Sequence, residues 1–328
     1  IRYIGPNCAG LLNTHSQLIA TLETRPPTGN TALISQSGGV GGVIMDWAEA
    51  QGIGISKFVS YGNGSDLNEI EFLRYLKDDP QTKVIAMYLE NVKNGRLFMQ
   101  VLQEATRQKP VVVIKSGRTG IGQRAALSHT GSMAGAEAVY DAALKECGAL
   151  RVETIEDLFD LCKGLSSLPT VNGRRLAIVT NSGGPGVMAA DKAVEVGLNV
   201  AEPGTELKKN LQEFLPPHAS LKNPIDLTVE GTGIQYYQAL AALLKEYDAA
   251  LALYVGTSYL EAMPVAQNIK KVFLETGKPV AAALQVGSDI EGSIDFLREH
   301  NLPSFAIGER AVRVLARMAE YREYKTRP

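Results

Sequence analysis

The sequence predicts an α/β protein built from two tandem three-layer domains, each formed around a parallel sheet. Short apolar runs typical of buried strands alternate with helical segments along the chain, and this alternation implies parallel strands joined by right-handed crossovers. A Gly-rich segment of the first half recurs in the second half. The length of 328 residues also favours two domains over a single core.

The first half contains the elements of one such domain. Residues 1–13 form a short apolar run that ends in a turn, and the chain opens on Ile1 as if cut from a longer protein. Residues 14–30 are polar and carry Pro26, Pro27 and Gly29, which predicts a loop or linker. Strands are then predicted at residues 31–34, 55–59, 84–89 and 110–114, and helices at 43–50, 70–76, 95–108, 134–147 and 156–165.

The second half begins after the linker candidate at residues 169–173, and here the chain repeats itself. Residues 32–41 align without gaps to residues 177–186, so that Ser-Gly-Gly at 37–39 coincides with Ser-Gly-Gly at 182–184. We also align residues 88–90 with 254–256, which places Gly256 at the Glu90 position, and Lys109-Pro-Val with Lys278-Pro-Val. The repeat predicts two related domains of flavodoxin-like or Rossmann-like topology, and its period is too long for a solenoid.

Composition excludes several classes of protein. A hydrophobic content of 45% with 21% charged residues is typical of a soluble globular protein. The net charge of −2 argues against nucleic acid as a partner, and no apolar run is long enough to span a membrane. Without a signal peptide, a cytoplasmic location is the default prediction. The three cysteines lack metal-ligand spacing, so we expect reduced thiols and no metal site.

Each repeated Gly-rich turn leads from a strand into a helix, which leaves backbone N–H groups unpaired at the positive end of the helix dipole. The sequence therefore predicts two phosphate-binding turns, and the alternative is that both are merely tight connections. A dinucleotide pattern at residues 184–189 is interrupted by Pro185 and has no ribose-binding acid about 20 residues further on. The residues predicted to contact phosphate here are Ser37, Gly38, Gly39, Ser182, Gly183 and Gly184.

Residues 115–135 follow a strand and surround His129 with glycines, hydroxyl side chains and three preceding cations. A neutral imidazole is a nucleophile that forms covalent intermediates with a transferable group, although a lone histidine is more often a surface or capping residue. To attack with one ring nitrogen, His129 needs an acceptor for the other. Glu90 is the candidate because it ends the preceding strand, although it could equally be a solvated loop acid.

At these residues the sequence resembles the NDP-forming acyl-CoA synthetases, which are relatives of succinyl-CoA synthetase. The resemblance covers essentially the whole chain. The segments that carry it are Ile4-Gly-Pro-Asn-Cys-Ala-Gly10, Ser35-Gln-Ser-Gly-Gly-Val40, Gly62-Asn63 with Asp66, Lys115-Ser-Gly-Arg118, Ala126-Leu-Ser-His-Thr-Gly-Ser132 and Asn181-Ser-Gly-Gly-Pro-Gly186.

The resemblance implies a role for each segment. Residues 1–29 would end a CoA-binding domain and form a linker, while residues 30–170 and 171–328 would be two ligase domains. His129 would be phosphorylated and Glu90 would orient it, with the phosphohistidine lying between two helix N-termini, one from each domain. Phosphate would also be contacted by Ser128, Thr130 and Gly131.

The implied ligands are phosphate and acyl-CoA, and in the full enzyme coenzyme A, ADP or ATP, and Mg²⁺. The implied partners are the CoA-binding domain and an ATP-grasp domain, in cis or as a separate subunit, within a possible homo- or hetero-oligomer. Succinate-specific relatives carry a tyrosine where this chain has Gly41-Gly42, which favours acetate or another small or branched acyl group.

Two other functions remain open. The same module resembles the regulatory, ligand-sensing region of some protein lysine acyltransferases, where it would bind a ligand without turnover. A nicotinamide-dependent oxidoreductase would need a ribose-binding acid, which the sequence does not offer.

Overall fold

The computed structural model describes residues 1–122, 137–287 and 290–327, and the chain divides into two compact units. The first unit comprises Ile1–Ser166 together with Tyr324–Pro328, and the second comprises Ser167–Glu323. Each unit is built around its own sheet. No helix in the three described ranges is both long and apolar enough to cross a lipid bilayer.

The first unit contains a seven-stranded sheet in the order β2-β1-β4-β3-β5-β6-β7. The five strands from β4 to β7 are parallel, and their order is second, first, third, fourth, fifth along the chain. That order is the doubly wound flavodoxin-like arrangement. The strands are β1 Gly10–Asn13, β2 Leu18–Thr21, β3 Thr28–Ser35, β4 Ile55–Ser60, β5 Val84–Leu89, β6 Val111–Lys115 and β7 Leu150–Val152. The helices are α1 Gly38–Ala50, α2 Glu69–Asp78, α3 Gly95–Gln108, α4 Glu137–Glu146 and α5 Ile155–Ser167.

The predicted loop at residues 14–30 is wrong in part, because it contains β2 and the start of β3. β2 pairs antiparallel with β1, and β1 pairs antiparallel with β4. The prediction failed because β2 is an edge strand whose side chains are exposed, with Leu18 51% and Ile19 40% accessible. Because neither face of such a strand is buried, its sequence shows no alternation of apolar and polar residues, and its position depends on backbone pairing. The first sheet is therefore parallel in its centre and antiparallel at this edge.

The second unit contains a fully parallel five-stranded sheet in the order β12-β11-β10-β8-β9, which is the same doubly wound order. Its strands are β8 Leu176–Thr180, β9 Ile225–Asp226, β10 Ala249–Val255, β11 Val280–Gln285 and β12 Ser304–Phe305. Its helices are α6 Gly183–Glu195, α7 Thr205–Gln212, α8 Gly233–Leu243, α9 Ala262–Thr276, α10 Ile290–Glu299 and α11 Gly308–Lys325.

The repeat predicted from the sequence is confirmed in detail by two lysines that precede equivalent strands. The Lys109 ammonium donates to the Leu76 carbonyl at 2.8 Å, near the end of α2. The Lys278 ammonium donates to the carbonyls of Leu244 at 2.5 Å and Tyr247 at 2.9 Å, just after α8. In both units a lysine thus neutralises helix C-terminal carbonyls at the point where the next strand begins.

One part of the predicted alignment is wrong by a single residue. Ile85 and Ala250 occupy the same place in their units, since each donates its N–H to the carbonyl of the proline before the next strand, at 3.0 Å in both. Counting along each strand from these residues, the counterpart of Glu90 is Val255 and not Gly256. The similar Tyr-Leu and Tyr-Val pairs suggested the shifted alignment, and only the hydrogen-bond register separates the two possibilities.

Candidate functional site

Three strands of the first unit end side by side, and the predicted site residues follow them. Ser35 of β3 is the register partner of Tyr88 in β5, and Leu89 is the partner of Lys115 in β6. In a sheet of this order, ligands bind at the carboxyl ends where the strand order reverses, which here lies between β3 and β5. The structure therefore brings Glu90 to the same edge as the first turn of α1.

The predicted histidine segment leaves β6 at this same edge. Ser116 follows the strand, and both its backbone N–H and its hydroxyl donate to the Leu89 carbonyl, at 3.0 and 3.3 Å. The predicted residues Ser128, His129, Thr130 and Gly131 lie outside the described residues.

The N-terminus of α1 has the features of an anion site. Ser37 is the N-cap, and its hydroxyl accepts from the Val40 N–H at 3.2 Å. No acidic residue stands in the first turn. Among the described residues, a Cβ built at Gly39 would meet no atom within 4 Å beyond its own helix turn, so this side of the first turn is open. Free N–H groups, the helix dipole and this space together suit a phosphate group.

The N-terminus of α6 has the same sequence pattern but different chemistry. Ser182 is the N-cap, yet its side chain makes no capping bond, because the third helical residue is Pro185 and has no N–H to donate. The position of Gly184 is as open as that of Gly39. The Asp226 carboxylate lies 3.1 Å from where a Cβ on Gly183 would stand, which places a negative charge beside this helix end.

Glu90 stands on a backbone that is held at several points. The side-chain oxygen of Gln36 accepts from the N–H groups of both Glu90 and Asn91, at 2.8 and 3.1 Å. The Tyr140 hydroxyl accepts from the Val92 N–H at 3.1 Å. Glu90 is half-buried. The main chain of residues 90–92 is therefore held by side chains from two other segments of the unit.

The rest of the loop between β5 and α3 is anchored as well. The Lys93 ammonium donates to the carbonyls of Asn63 at 2.9 Å and Gly64 at 3.1 Å, which ties this loop to the one after β4. Asn94 is the N-cap of α3 and accepts from the Leu97 N–H at 3.1 Å. A carboxylate on such a loop has a defined position, as orientation of a histidine requires.

A buried cation closes one side of the site. Lys115 is only 1% exposed, its ammonium donates to the Ser116 carbonyl at 2.5 Å, and it lies 4.5 Å from the centre of the Tyr140 ring. Burial lowers the pKa of Lys115, and the negative charges of Glu137 and Glu90 act in the opposite direction. Lys115 is therefore a buried amine at the end of β6 on which the charges of Glu137 and Glu90 act.

Two further acidic groups lie behind Glu90. Tyr61 and Glu69 are 1% and 4% exposed, and burial raises the pKa of both side chains. The Glu69 charge raises the pKa of Tyr61 further, and Glu90 contributes in the same direction. Sequence reasoning missed Gln36, Tyr61, Glu69 and Tyr140. Gln36 carried a signal, since it is a polar residue between a strand end and the predicted phosphate turn.

The first turns of α1 also differ from the succinate-type pattern at Gly42. A Cβ at this position would meet the carboxylate of Glu23, which is the end of a flexible side chain and can turn aside. Gly41 is buried, and a Cβ there would stand 3.0 Å from the Phe58 ring. Among the described residues, no group of three His, Cys, Asp or Glu side chains could hold a metal ion.

Comparison with known proteins places this chain in a family. A family model for the succinyl-CoA ligase like flavodoxin domain matches residues 28–165, and one for the Ligase-CoA domain matches residues 176–326. The alpha subunit of acetate–CoA ligase [ADP-forming] I from Pyrococcus furiosus is 40% identical over all of this chain and 72% of its own length. The chain belongs to the family of ADP-forming acyl-CoA ligases.

Other relatives of this ligase extend the comparison. The 4-hydroxybutyrate–CoA ligase [ADP-forming] of Nitrosopumilus maritimus is 33% identical over 99% of this chain and 47% of its own length. The solved acetyl-coenzyme A synthetase 1 of Ca. Korarchaeum cryptofilum, in complex with phosphate and ADP, matches with a TM-score of 0.94 and 37% identity. That match covers 99% of this chain and 72% of the solved chain. The expected family and the expected flavodoxin-like fold are confirmed.

Proposed function

We propose that this chain is the core module of an acyl-CoA ligase in which His129 carries a phosphoryl group between an acyl phosphate and a nucleoside diphosphate. The observation that carries the proposal is the setting of Glu90. The Glu90 backbone is hydrogen-bonded to Gln36, and Glu90 lies beside the N-terminus of α1 at the end of β5. β5 pairs with β6, and in the sequence β6 is followed by the segment that contains Ser128-His129-Thr130.

The proposed reaction has three steps. An oxygen of phosphate attacks the thioester carbon of acyl-CoA, and CoA leaves as the thiol, giving an acyl phosphate. The free ring nitrogen of His129 then attacks phosphorus, and the carboxylate leaves. Finally ADP accepts the phosphoryl group from His129 and becomes ATP. Run backwards, the same steps form acyl-CoA from the acid, CoA and ATP.

Glu90 has one task in these steps. It accepts the N–H of the His129 ring, so that the opposite nitrogen carries the lone pair that attacks phosphorus. The same carboxylate stabilises the positive charge that the ring gains on phosphorylation. This pairing is the orienting role that acidic residues play towards catalytic histidines elsewhere.

Phosphate recognition falls to residues that lie at helix N-termini and around the histidine. Ser37, Gly38 and Gly39 supply the first turn of α1, and Ser182, Gly183 and Gly184 supply that of α6. Ser128, Thr130 and Gly131 flank the histidine and complete the proposed set. Positioning and charge stabilisation then carry most of the catalysis, as in phosphoryl transfer generally.

The remaining ligands belong to the wider enzyme. We propose that an ATP-grasp domain, in cis or as a separate subunit, binds ADP or ATP with Mg²⁺, and that coenzyme A is held largely outside these 328 residues. The purified chain alone is therefore expected to show no ligase turnover. Gly41-Gly42, at the place where succinate-specific relatives carry a tyrosine, favours acetate or another small or branched acyl group.

Transfer of label from ATP tests the proposal. The full-length enzyme with its ATP-grasp domain is incubated with ATP labelled at the γ-phosphate, and alkali-stable, acid-labile label on the protein is counted. Wild type and the control His300→Ala, whose ring is hydrogen-bonded to the Phe296 carbonyl at 2.7 Å, are expected to be labelled. His129→Ala is expected to be unlabelled.

Two outcomes would count against the proposal. If His129→Ala takes up label like the wild type, His129 is not the phosphoryl carrier. If the wild type binds acyl-CoA but is never labelled and shows no turnover, the regulatory, ligand-sensing alternative holds instead.

A further inference from the structure

We propose that Gln36 is a positioning residue that sets the direction of the Glu90 carboxylate, and this inference rests on the proposed role of Glu90 towards His129. Gln36 belongs to the Ser-Gln-Ser-Gly-Gly turn, where the neighbouring Ser37 and the glycines account for phosphate binding. Nothing in that role requires an amide side chain at position 36.

Both the backbone and the side chain of Gln36 are hydrogen-bonded to the end of β5. Its own N–H donates to the Tyr88 carbonyl at 3.1 Å, and its side-chain oxygen accepts from Glu90 and Asn91 at 2.8 and 3.1 Å. The N–H groups of residues 90 and 91 lie in the two peptide planes that flank the Cα of Glu90, and their bonds to one oxygen constrain both planes. The Cα–Cβ direction of Glu90 follows from the positions of these two planes.

The second unit carries the same device without the carboxylate. Asn181 is the counterpart of Gln36, and its side-chain oxygen accepts from the Val255 N–H at 2.9 Å. Its side-chain nitrogen donates to the Val255 carbonyl at 2.8 Å. The amide thus belongs to the shared scaffold as a clamp on the end of the third strand of each unit. In the first unit, the clamped residue is Glu90, and the longer glutamine side chain also reaches Asn91.

Removal of the acceptor has a defined consequence. The N–H groups of residues 90 and 91 would lose their shared partner and turn towards water, and Glu90 would turn with them. Misplacement of a catalytic group by about 1 Å can reduce a rate by about 100-fold. The backbone bond from Gln36 to Tyr88 does not depend on the side chain, so the strand order and the α1 turn are expected to persist.

The experiment measures the initial rate of His129 labelling in the full-length enzyme with its ATP-grasp domain. Gln36→Met keeps the length of the side chain and removes the acceptor, while Gln36→Glu keeps an acceptor oxygen. We expect Gln36→Met to label about 30- to 100-fold more slowly with an unchanged KM for ATP, and Gln36→Glu to recover to within about fivefold of wild type. The matched control is Asn94→Ala, which removes a cap from the same loop, where the Asn94 side chain accepts from the Leu97 N–H.

A double variant separates positioning from general stability. If Gln36 acts through Glu90, Gln36→Met should slow labelling by less than about twofold further in a Glu90→Gln background, because coupled residues are not additive. Additive effects would overturn the inference, as would a Gln36→Met rate equal to that of Asn94→Ala, or Gln36→Glu as slow as Gln36→Met. If Gln36→Met does not fold, Gln36→Asn, which draws the acceptor back by one methylene, takes its place.

The same assay distinguishes failure of this inference from failure of the proposed function. If Glu90→Gln is slow and Gln36→Met is normal, only the role of Gln36 is lost. If Glu90→Gln and His129→Ala both label like the wild type, the proposed function itself is lost.

Discussion

The two units share one scaffold and differ at the ends of the same strands. In the first unit, Ser37 caps its helix and a carboxylate, Glu90, stands at the end of the third strand. In the second, Ser182 makes no capping bond and the corresponding strand end is Val255. The Ser-Gly-Gly turn proposed to bind phosphate is therefore present in both units, whereas a carboxylate stands at this strand end in the first unit and a valine in the second.

The comparison separates what the fold supplies from what the chemistry adds. The doubly wound sheet, the amide clamp and the lysine that caps the helix end recur in both units. Only the residues at a few strand ends differ. A duplicated α/β domain can therefore keep its Gly-rich strand-to-helix turn as part of the fold, while the side chains at the strand ends differ between the two copies.

The largest effect is expected from replacing Glu90, whose counterpart in the second unit is a valine. Glu90→Gln should slow phosphorylation of His129 on the order of a thousandfold, because an amide cannot stabilise the charged ring or select its tautomer as a carboxylate does. The measurement is the initial rate of label transfer from ATP in the full-length enzyme.

Val255→Gln places the same side chain at the matching position of the second unit and is the control. Its labelling rate should stay within about twofold of the wild type, since no histidine segment is proposed there. Equal losses in the two variants would remove the distinction between the units.

The next effect concerns a buried ion pair of the first unit whose acidic residue is a tyrosine in the second unit. The Lys57 ammonium lies 2.6 Å from the Asp79 carboxylate, and both residues are less than 9% exposed. Tyr247 takes the place of Asp79 in the second unit, where its hydroxyl donates to the Ala201 carbonyl at 2.6 Å. Lys57→Met leaves the buried Asp79 carboxylate without its cation and should lower the free energy of unfolding of the first unit by about 3 kcal/mol. Urea denaturation of the chain measures this.

The same pair predicts a pH dependence. Burial acts to raise the pKa of Asp79, but hydrogen bonds from Lys57 and Thr82 outweigh it and hold the pKa below its ordinary value. Its stabilising contribution is thus complete above about pH 4, the ordinary range for aspartate, and is lost as the pH falls through its lower folded value. The double variant Lys57→Met with Asp79→Leu should lose less thermal stability than wild type on acidification. A parallel decline of the two proteins would refute this.

The smallest expected effect is the difference in stability between variants of the two serine N-caps, Ser37 and Ser182. Ser37→Ala removes a capping bond and should lower the free energy of unfolding by about 1 kcal/mol. Ser182→Ala removes none and should change it by less than about 0.5 kcal/mol. Both are measured by chemical denaturation in phosphate-free buffer, so that anion binding does not contribute. The prediction fails if Ser182→Ala is the more damaging of the two.

Most of the central elements could be predicted from the sequence, and the exceptions have physical causes. Val84–Leu89 and Gly95–Gln108 agree with their predicted bounds, because a continuous apolar run and a regular amphipathic pattern are local signals. α1 begins at Gly38, earlier than predicted, because glycines normally disfavour a helix interior. Here one of them is required, since Gly41 packs against Phe58 and Ser35.

The candidate site divides in the same way. Glu90 and Ser37 were predicted as site residues from their places after strands, and parallel strands bring such places to one edge. Tyr140 could not be predicted, and the place of Gln36 in the sequence did not reveal its partner, because each acts through a hydrogen bond to a residue about 50 positions away in the chain. The bonds that hold Glu90 thus depend on the neighbouring strands and helices.

The family, the two α/β units and the Gly-rich turns can be read from the chain, since these follow from local patterns and from the internal repeat. The edge pairing of β2, the correspondence of Val255 with Glu90 and the bonds from Gln36 to the strand end emerge from the folded protein. The reason is physical: strand register and side-chain to backbone bonds join residues far apart in the chain, and their partners are set only when the sheet has formed.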